Sequence, residues 1–286
     1  MGVYLNPKNK GFQEAIHSEI YVDKTGLIAC TNKCINTEAK FICVSRPRRF
    51  GKSMTLKMLA AYYSSNGNSA EMFEGLKIEN DKTFQKHLNR YDVIYLNMQQ
   101  FLIRAKKQEV TQYLERVVIE ELRELYGDYF SERVTILSEA LEKIYDKTDK
   151  EFIFLIDEWD CVMRERQESE ELQKQYFDFL RDLLKDQSYV ALAYMTGILP
   201  VKKYGVHSAL NMFREYSMTD QKMFEEYTGF TETEVQALCR QYDMDFEETN
   251  SWYDGYRLRT YQHIYNPKSV VEAMSCHITV RGRITG

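Results

Sequence analysis

Two short stretches of this chain carry residues suited to handling phosphate. The first is Ser45-Arg46-Pro47-Arg48-Arg49-Phe50-Gly51-Lys52-Ser53, and the second is Asp157-Glu158, at the end of the apolar run Phe152–Ile156. A lysine after a glycine-containing loop can reach the β- and γ-phosphates of a nucleotide, and the serine beside it offers a hydroxyl to Mg²⁺. A carboxylate pair at a strand end supplies the complement. Asp157 would ligate the metal or orient its water, and Glu158 would accept a proton from an attacking water, because the γ-phosphate must be struck in line by a polarised nucleophile. Thr196 ends the apolar run Val190–Met195, where a polar side chain can sense the γ-phosphate or position water. Asp160 lies two residues beyond Glu158 in the same acidic loop.

The loop departs from the usual G-x-x-x-x-G-K-[ST] pattern, since Arg46 stands where the first glycine falls. A bare Gly-Lys-Ser also occurs in basic surface turns. The flanks favour the phosphate reading. Phe41–Val44 is a short apolar run that predicts a buried strand, and Met54–Tyr63 is amphipathic and predicts a helix. In that layout, successive backbone N–H groups and the positive helix end converge on one anion site. The expected nucleotide cradle is Arg48, Arg49, Phe50, Gly51, Lys52, Ser53 and Met54, with Ser53 and Asp157 at the metal. The expected catalytic set is Glu158, Lys52 and Thr196. Arg46, Arg48 and Arg49 have three open roles: phosphate contact, pairing with Asp157 or Asp160, or bracing the loop against Tyr21–Asp23. Arg214 and Arg257 are candidates to approach the γ-phosphate. His207 and His263 have no partner ligands at metal spacing and read as surface or packing residues.

The elements that must position these residues alternate between strand and helix. Glu19–Thr25 shows brief strand-like alternation, followed by a helix over Thr25–Cys30. After the helix that follows Lys52, Val93–Asn97 predicts a strand. Val110, Leu114, Val118, Leu122 and Leu125 recur at helical spacing, and Ser131–Tyr145 predicts a further helix. Phe152–Ile156 is apolar without alternation, as in a strand buried on both faces. A helix over Leu172–Leu184, the strand Val190–Met195 and a short strand at Glu215–Met218 complete an α/β pattern with a mostly parallel sheet. Beyond residue 221 the pattern turns helical. Thr231 and Glu234 form a capping-box signature, Trp252–Arg257 predicts a turn into a hairpin, and Pro267 suits the first position of a helix.

Bulk properties narrow the class. The 286 residues, 44% of them hydrophobic with 21 Tyr and 15 Phe, suffice for a large core. A net charge of -5 argues against a wholesale nucleic-acid coat while leaving room for a local basic groove. The six cysteines are scattered without a zinc pattern and fit a reducing compartment. No signal-peptide pattern opens the chain, and the most apolar window, Tyr189–Val201, is too short to span a membrane. A cytoplasmic protein is expected.

These motifs in this order resemble a bacterial family of predicted AAA-ATPase-like proteins. The likeness rests on Tyr21-Val22-Asp23-Lys24-Thr25, the Arg46–Ser53 loop, Leu155–Asp160, Thr196–Pro200, Tyr227–Thr231, Trp252–Arg257 and Tyr265-Asn266-Pro267, and covers about residues 8–275. The arginine-rich loop is the norm in that family. The resemblance implies an additional-strand P-loop NTPase core with sheet order 5-1-4-3-2, a small C-terminal helical lid, and ATP and Mg²⁺ as ligands. Members commonly continue into a nuclease-like C-terminal domain, which this chain lacks. Residues 1–220 are expected to form the ATPase core and 221–274 the lid. Residues 275–286 fit neither the family nor a packed element, as in a truncated end. The expected function is an ATP-binding, ATP-hydrolysing switch coupled to a protein or nucleic-acid partner, possible as a homo-oligomer. The alternative is a non-hydrolysing, nucleotide-gated interaction module left over from an ATPase–nuclease fusion. A small-molecule kinase is the third reading, disfavoured because Asp157-Glu158 suits water activation and no acceptor motif is visible.

Overall fold

The computed structural model describes residues 2–105, 109–201, 210–218, 224–252 and 263–284, with backbone alone at 251–252 and 277–284. In chain order the elements are α1 (Lys10–Ile16), α2 (Gly26–Asn32), β1 (Phe41–Ser45), α3 (Lys52–Tyr63), α4 (Phe84–His87), β2 (Asp92–Asn97), α5 (Met98–Ala105), α6 (Val110–Tyr126), α7 (Leu137–Thr148), β3 (Phe152–Asp157), α8 (Cys161–Glu165), α9 (Glu170–Leu184), β4 (Val190–Gly197) and β5 (Arg214–Tyr216). The C-terminal part follows with β6 (Phe230–Thr231), α10 (Glu232–Tyr242), α11 (Phe246–Trp252), β7 (Ile264–Tyr265) and α12 (Pro267–Ile284).

Five strands form one sheet in the order β2-β3-β4-β1-β5, with every neighbouring pair parallel. This is the expected 5-1-4-3-2 order read from the other edge. β1, β3 and β4 are buried at every position, which explains why they read as unbroken apolar runs. Alternate residues serve different cores. Phe152, Phe154 and Ile156 face the cluster built by α5 to α9, whereas Ile153 and Leu155 face the cluster built by α1, α2 and α3. Registry sets Asn97 beside Asp157 and Val44 beside Thr196. The polar residues ending these strands therefore gather at the carboxyl edge of the sheet, where open parallel sheets hold their ligands.

An N-terminal arm covers the β2 edge. Asn6 donates its N–H to Val93 at 2.7 Å, Tyr95 donates to the Tyr4 carbonyl at 2.8 Å, and Leu5 bridges Ile94. Glu121 on α6 accepts the N–H groups of Val3, Tyr4 and Leu5 at 2.8–2.9 Å. A paired edge does not offer its ladder to another chain.

A third apolar cluster belongs to the C-terminal elements: Phe230, Val235, Leu238, Tyr265, Val270 and Met274, with Ile20 and Val22 packed onto it. Here one expectation changes. Glu19–Thr25 forms no strand, although its alternation is real: Ile20 and Val22 face this cluster and Tyr21 faces the core around α2 and α3. The segment is extended between two apolar surfaces. Residues beyond 274 continue the backbone of α12 to Ile284. The helix expected over Ser131–Tyr145 starts only at Leu137, because Arg123 takes the carbonyls of Glu132 and Val134. The capping box at Thr231 and Glu234 forms as read, and Asn266 caps α12 by accepting from the Lys268 and Ser269 N–H groups. Trp252, the first residue of the turn predicted at Trp252–Arg257, ends α11, while residues 253–257 and the expected boundary near residue 220 fall outside the described residues.

Candidate P-loop site

The loop from Arg46 to Gly51 joins β1 to α3 and is shaped by two left-handed residues, Arg49 at φ 71° and Gly51 at φ 82°. A Cβ on Gly51 would meet nothing within 4 Å, so the space in front of the α3 N-terminus is open. That open space faces the positive end of α3, an arrangement that suits an anion. Lys52 curls back over the loop and donates to the carbonyls of Arg46 at 2.9 Å and Pro47 at 2.8 Å. Burial lowers the pKa of Lys52 below the ordinary lysine value, with Asp157, Glu158 and Asp160 partly restoring it.

Asp157 is fully buried at the end of β3 and is held by hydroxyls. Ser53 donates to it at 2.6 Å and Thr196 at 2.8 Å, and the Tyr95 phenol also bonds to it. A buried carboxylate is tolerable only when its lone pairs are met in this way. Lys52, Ser53, Asp157 and Thr196 thus converge as expected. In this structure the Thr196 hydroxyl is spent on Asp157. Glu158 follows with φ 52°, an uncommon conformation for a side-chain-bearing residue. Its carboxylate accepts from Arg164 at 2.7 Å. Asp160, also buried, accepts from Arg164 at 3.2 Å and from the N–H groups of Ile198 at 3.2 Å and Leu199 at 2.9 Å.

The arginines of the loop divide in a way the sequence does not reveal. Arg46 is buried and turned toward β5, donating to the Ser45 carbonyl at 3.0 Å and to the Tyr216 carbonyl at 3.2 Å. Burial brings its pKa down to about 10. The guanidinium beside Glu158 and Asp160 belongs to Arg164. Arg48 and Arg49 are exposed. Arg214 starts β5, with its side chain exposed. Arg257 and His207 lie outside the described residues, and His263 stacks obliquely near Tyr265. Tyr95 and Arg164 are the site residues that sequence reading passed over. Arg164 had one local signal, its i,i+4 spacing from Asp160. Tyr95 had none, because only strand registry brings it to Asp157.

Two clefts meet the start of α3 from opposite sides. One, of about 380 Å³, is walled by Ser53, Lys57, Tyr95, Asn97, Gln100 and Asp157. The other, of about 340 Å³, is largely apolar and includes Tyr21, Val22, Phe50, Met54, Phe230 and Val271. Its walls come from both the core and the C-terminal elements. Gly229 N–H donates to the Phe50 carbonyl at 3.1 Å, and Lys24 bonds to Glu234 and to the Glu226 carbonyl.

A parallel sheet in this order, a Gly-Lys-Ser loop after β1 and a buried carboxylate at the end of β3 define a P-loop NTPase. A family model described as predicted AAA-ATPase matches residues 10–207, and the chain belongs to that family. A curated relative, the uncharacterized protein in the vnfD 5′ region of Azotobacter chroococcum mcd 1, is 26% identical over 253 residues. The alignment covers 86% of this chain and 46% of the relative, so the chain spans less than half of that protein's length. A solved structure, the Walker-type ATPase PABY2304 of Pyrococcus abyssi, aligns with a TM-score of 0.40 and 13% identity, over 82% of this chain and 63% of its own. A likeness of that size carries no functional argument.

Proposed function

We propose that this chain binds ATP with Mg²⁺, hydrolyses its β–γ phosphoanhydride, and passes nucleotide state through the C-terminal helical elements to a partner. The observation that carries this reading is the Ser53 hydroxyl held 2.6 Å from the buried Asp157, one residue after the loop lysine. A hydroxyl and a carboxylate are hard oxygen donors, and Mg²⁺ is usually held by one or two such groups together with phosphate and water. Among the described residues no group of three or more His, Cys, Asp or Glu offers a metal cage, so Ser53 and Asp157 are the donors that fit. Mg²⁺, when bound, supplies charge neutralisation on the phosphate oxygens.

The chain's own residues do the rest. Lys52 exchanges its loop carbonyls for phosphate oxygens, and the N–H groups from Arg48 to Met54 line the cradle. Thr196 holds Asp157 in place from the neighbouring strand. Glu158 accepts the proton of the attacking water. The apolar cleft with Tyr21, Phe50 and Phe230 offers a slot for the adenine ring. A base there would touch core and C-terminal elements together, which is how occupancy reaches the lid.

Turnover and nucleotide-dependent thermal shift should be measured for the parent, Lys52→Ala and Glu158→Gln. The parent should hydrolyse ATP only with Mg²⁺, Lys52→Ala should lose the shift, and Glu158→Gln should keep it while losing about 10²–10⁴-fold in turnover. The bond from Arg164 to Glu158 favours one second reading, a module that binds ATP without hydrolysing it. Background turnover in all three proteins with an intact shift would establish that reading, and no shift in the parent would refute both.

A further inference from the structure

We propose that Arg164 is a latch on the general base, holding Glu158 in a resting position from which it must be released before water is activated. The inference rests on the ATPase reading and adds a control to the same site.

The geometry is specific. Arg164 Nη2 lies 2.7 Å from Glu158 Oε2, while its Nε lies 3.2 Å from Asp160 Oδ2. The arginine side chain is 14% exposed, Glu158 34% and Asp160 0%. One guanidinium therefore spans an inner, buried carboxylate and an outer, half-open one. A carboxylate oxygen that accepts a charged N–H has committed a lone pair that a water proton needs. Arginine does not deprotonate, so only movement releases the contact.

What can move is equally defined. The Glu158 backbone is fixed at φ 52°, with its carbonyl accepting from Cys161 at 3.0 Å, and the next residue, Trp159, donates to the Thr196 carbonyl at 3.0 Å. The side chain alone is left to swing. Breaking a buried ion pair is normally costly because it orphans a charge. Here it does not. When Glu158 leaves, Arg164 keeps Asp160, Asp160 keeps Ile198 and Leu199, and Glu158 turns toward solvent and the phosphate site. The handle is α8, tied to α9 by the bond from Gln173 to the Arg166 carbonyl at 2.8 Å. A partner that shifts α8 moves the arginine.

If the latch closes the resting state, loosening it should favour the loaded state. The full chain is titrated with a fluorescent non-hydrolysable ATP analogue and Mg²⁺, for the parent, Arg164→Gln, Arg164→Lys, Glu158→Gln and the double variant Arg164→Gln/Glu158→Gln. The chain has two tryptophans, so a Trp252→Phe background makes Trp159, between the two carboxylates, the reporter of the loop. Arg164→Gln and Glu158→Gln should each bind the analogue about threefold tighter or more, with no further gain in the double variant, since coupled pairs are non-additive. Arg164→Gln should also raise kcat, with KM falling in step with the tighter binding, and reproduce, without nucleotide, the Trp159 signal of the loaded parent. Arg164→Lys should restore parent behaviour. Unchanged analogue affinity in Glu158→Gln, additive gains, or a lower kcat in a folded Arg164→Gln would overturn the latch. Glu158→Gln leaves the Arg164–Asp160 pair intact, so it carries the test if Arg164→Gln does not fold. Absence of any analogue binding by the parent overturns the ATPase reading itself, and the latch with it.

Discussion

Lys52 does two jobs that pull against each other. It must be charged to hold phosphate, yet it is buried, and burial favours its neutral form. The three carboxylates Asp157, Glu158 and Asp160 oppose that loss, and Arg164 adds to it. The sign follows directly. A lowered pKa means that the ammonium is lost at a lower pH than the ordinary value of 10.5. Nucleotide affinity should therefore fall as pH rises through the alkaline range, earlier than an exposed lysine would dictate. Lys52→Arg, which stays charged, should flatten that fall, and titration with the analogue across pH would show it. An affinity that holds constant up to the ordinary lysine value would exclude Lys52 as the phosphate contact. Arg46 is the converse case. It occupies the place of a glycine in the usual pattern, and its side chain turns to the carbonyl of Tyr216 on β5.

At the scale of elements, strand–loop–helix sequences were legible because their signals are local. The unbroken runs at β1, β3 and β4, the Gly-Lys-Ser at the start of α3 and the capping box of α10 each lie within a few residues. Lys52, Ser53, Asp157 and Glu158 could be found this way. Tyr95 could not, since a strand's neighbour depends on registry, and Arg46 could not, since its partner Tyr216 on β5 lies 170 residues along the chain. β6 and β7 are two residues each, too short to show a period. The capping box also gives an element-scale test. Thr231 accepts from the Glu234 N–H while Glu234 accepts from the Thr231 N–H at 2.8 Å. Thr231→Ala should destabilise α10 by about 1 kcal/mol. Amide exchange should speed up in its first turn, and an unchanged rate there would show that packing alone holds the helix.

Over the whole molecule, contacts among the described residues tie the C-terminal elements to the P-loop and to the segment before α2. Gly229 holds the Phe50 carbonyl, Asn266 reaches the Arg48 carbonyl at 3.5 Å, and Lys24 grips Glu234. The Lys24–Glu234 pair is largely buried on both sides, at 15% and 19% exposure. Its loss in Lys24→Met should cost about 1–3 kcal/mol. Exchange should accelerate in α10 and α12 with β1, β3 and β4 unaffected; uniform acceleration would mean that the two parts unfold as one. The extended segment at residues 20–24 thus sits in the first tenth of the chain but packs with its last quarter. Ile20, Val22 and Lys24 are inherited with one part and serve the other. Any lineage that exchanged its C-terminal helices for a relative's would have to bring this distant pentapeptide along, or select compensating changes in it. The unit that packs together here is discontinuous in the chain, and covariation between positions 20–24 and 230–274 is the expected trace.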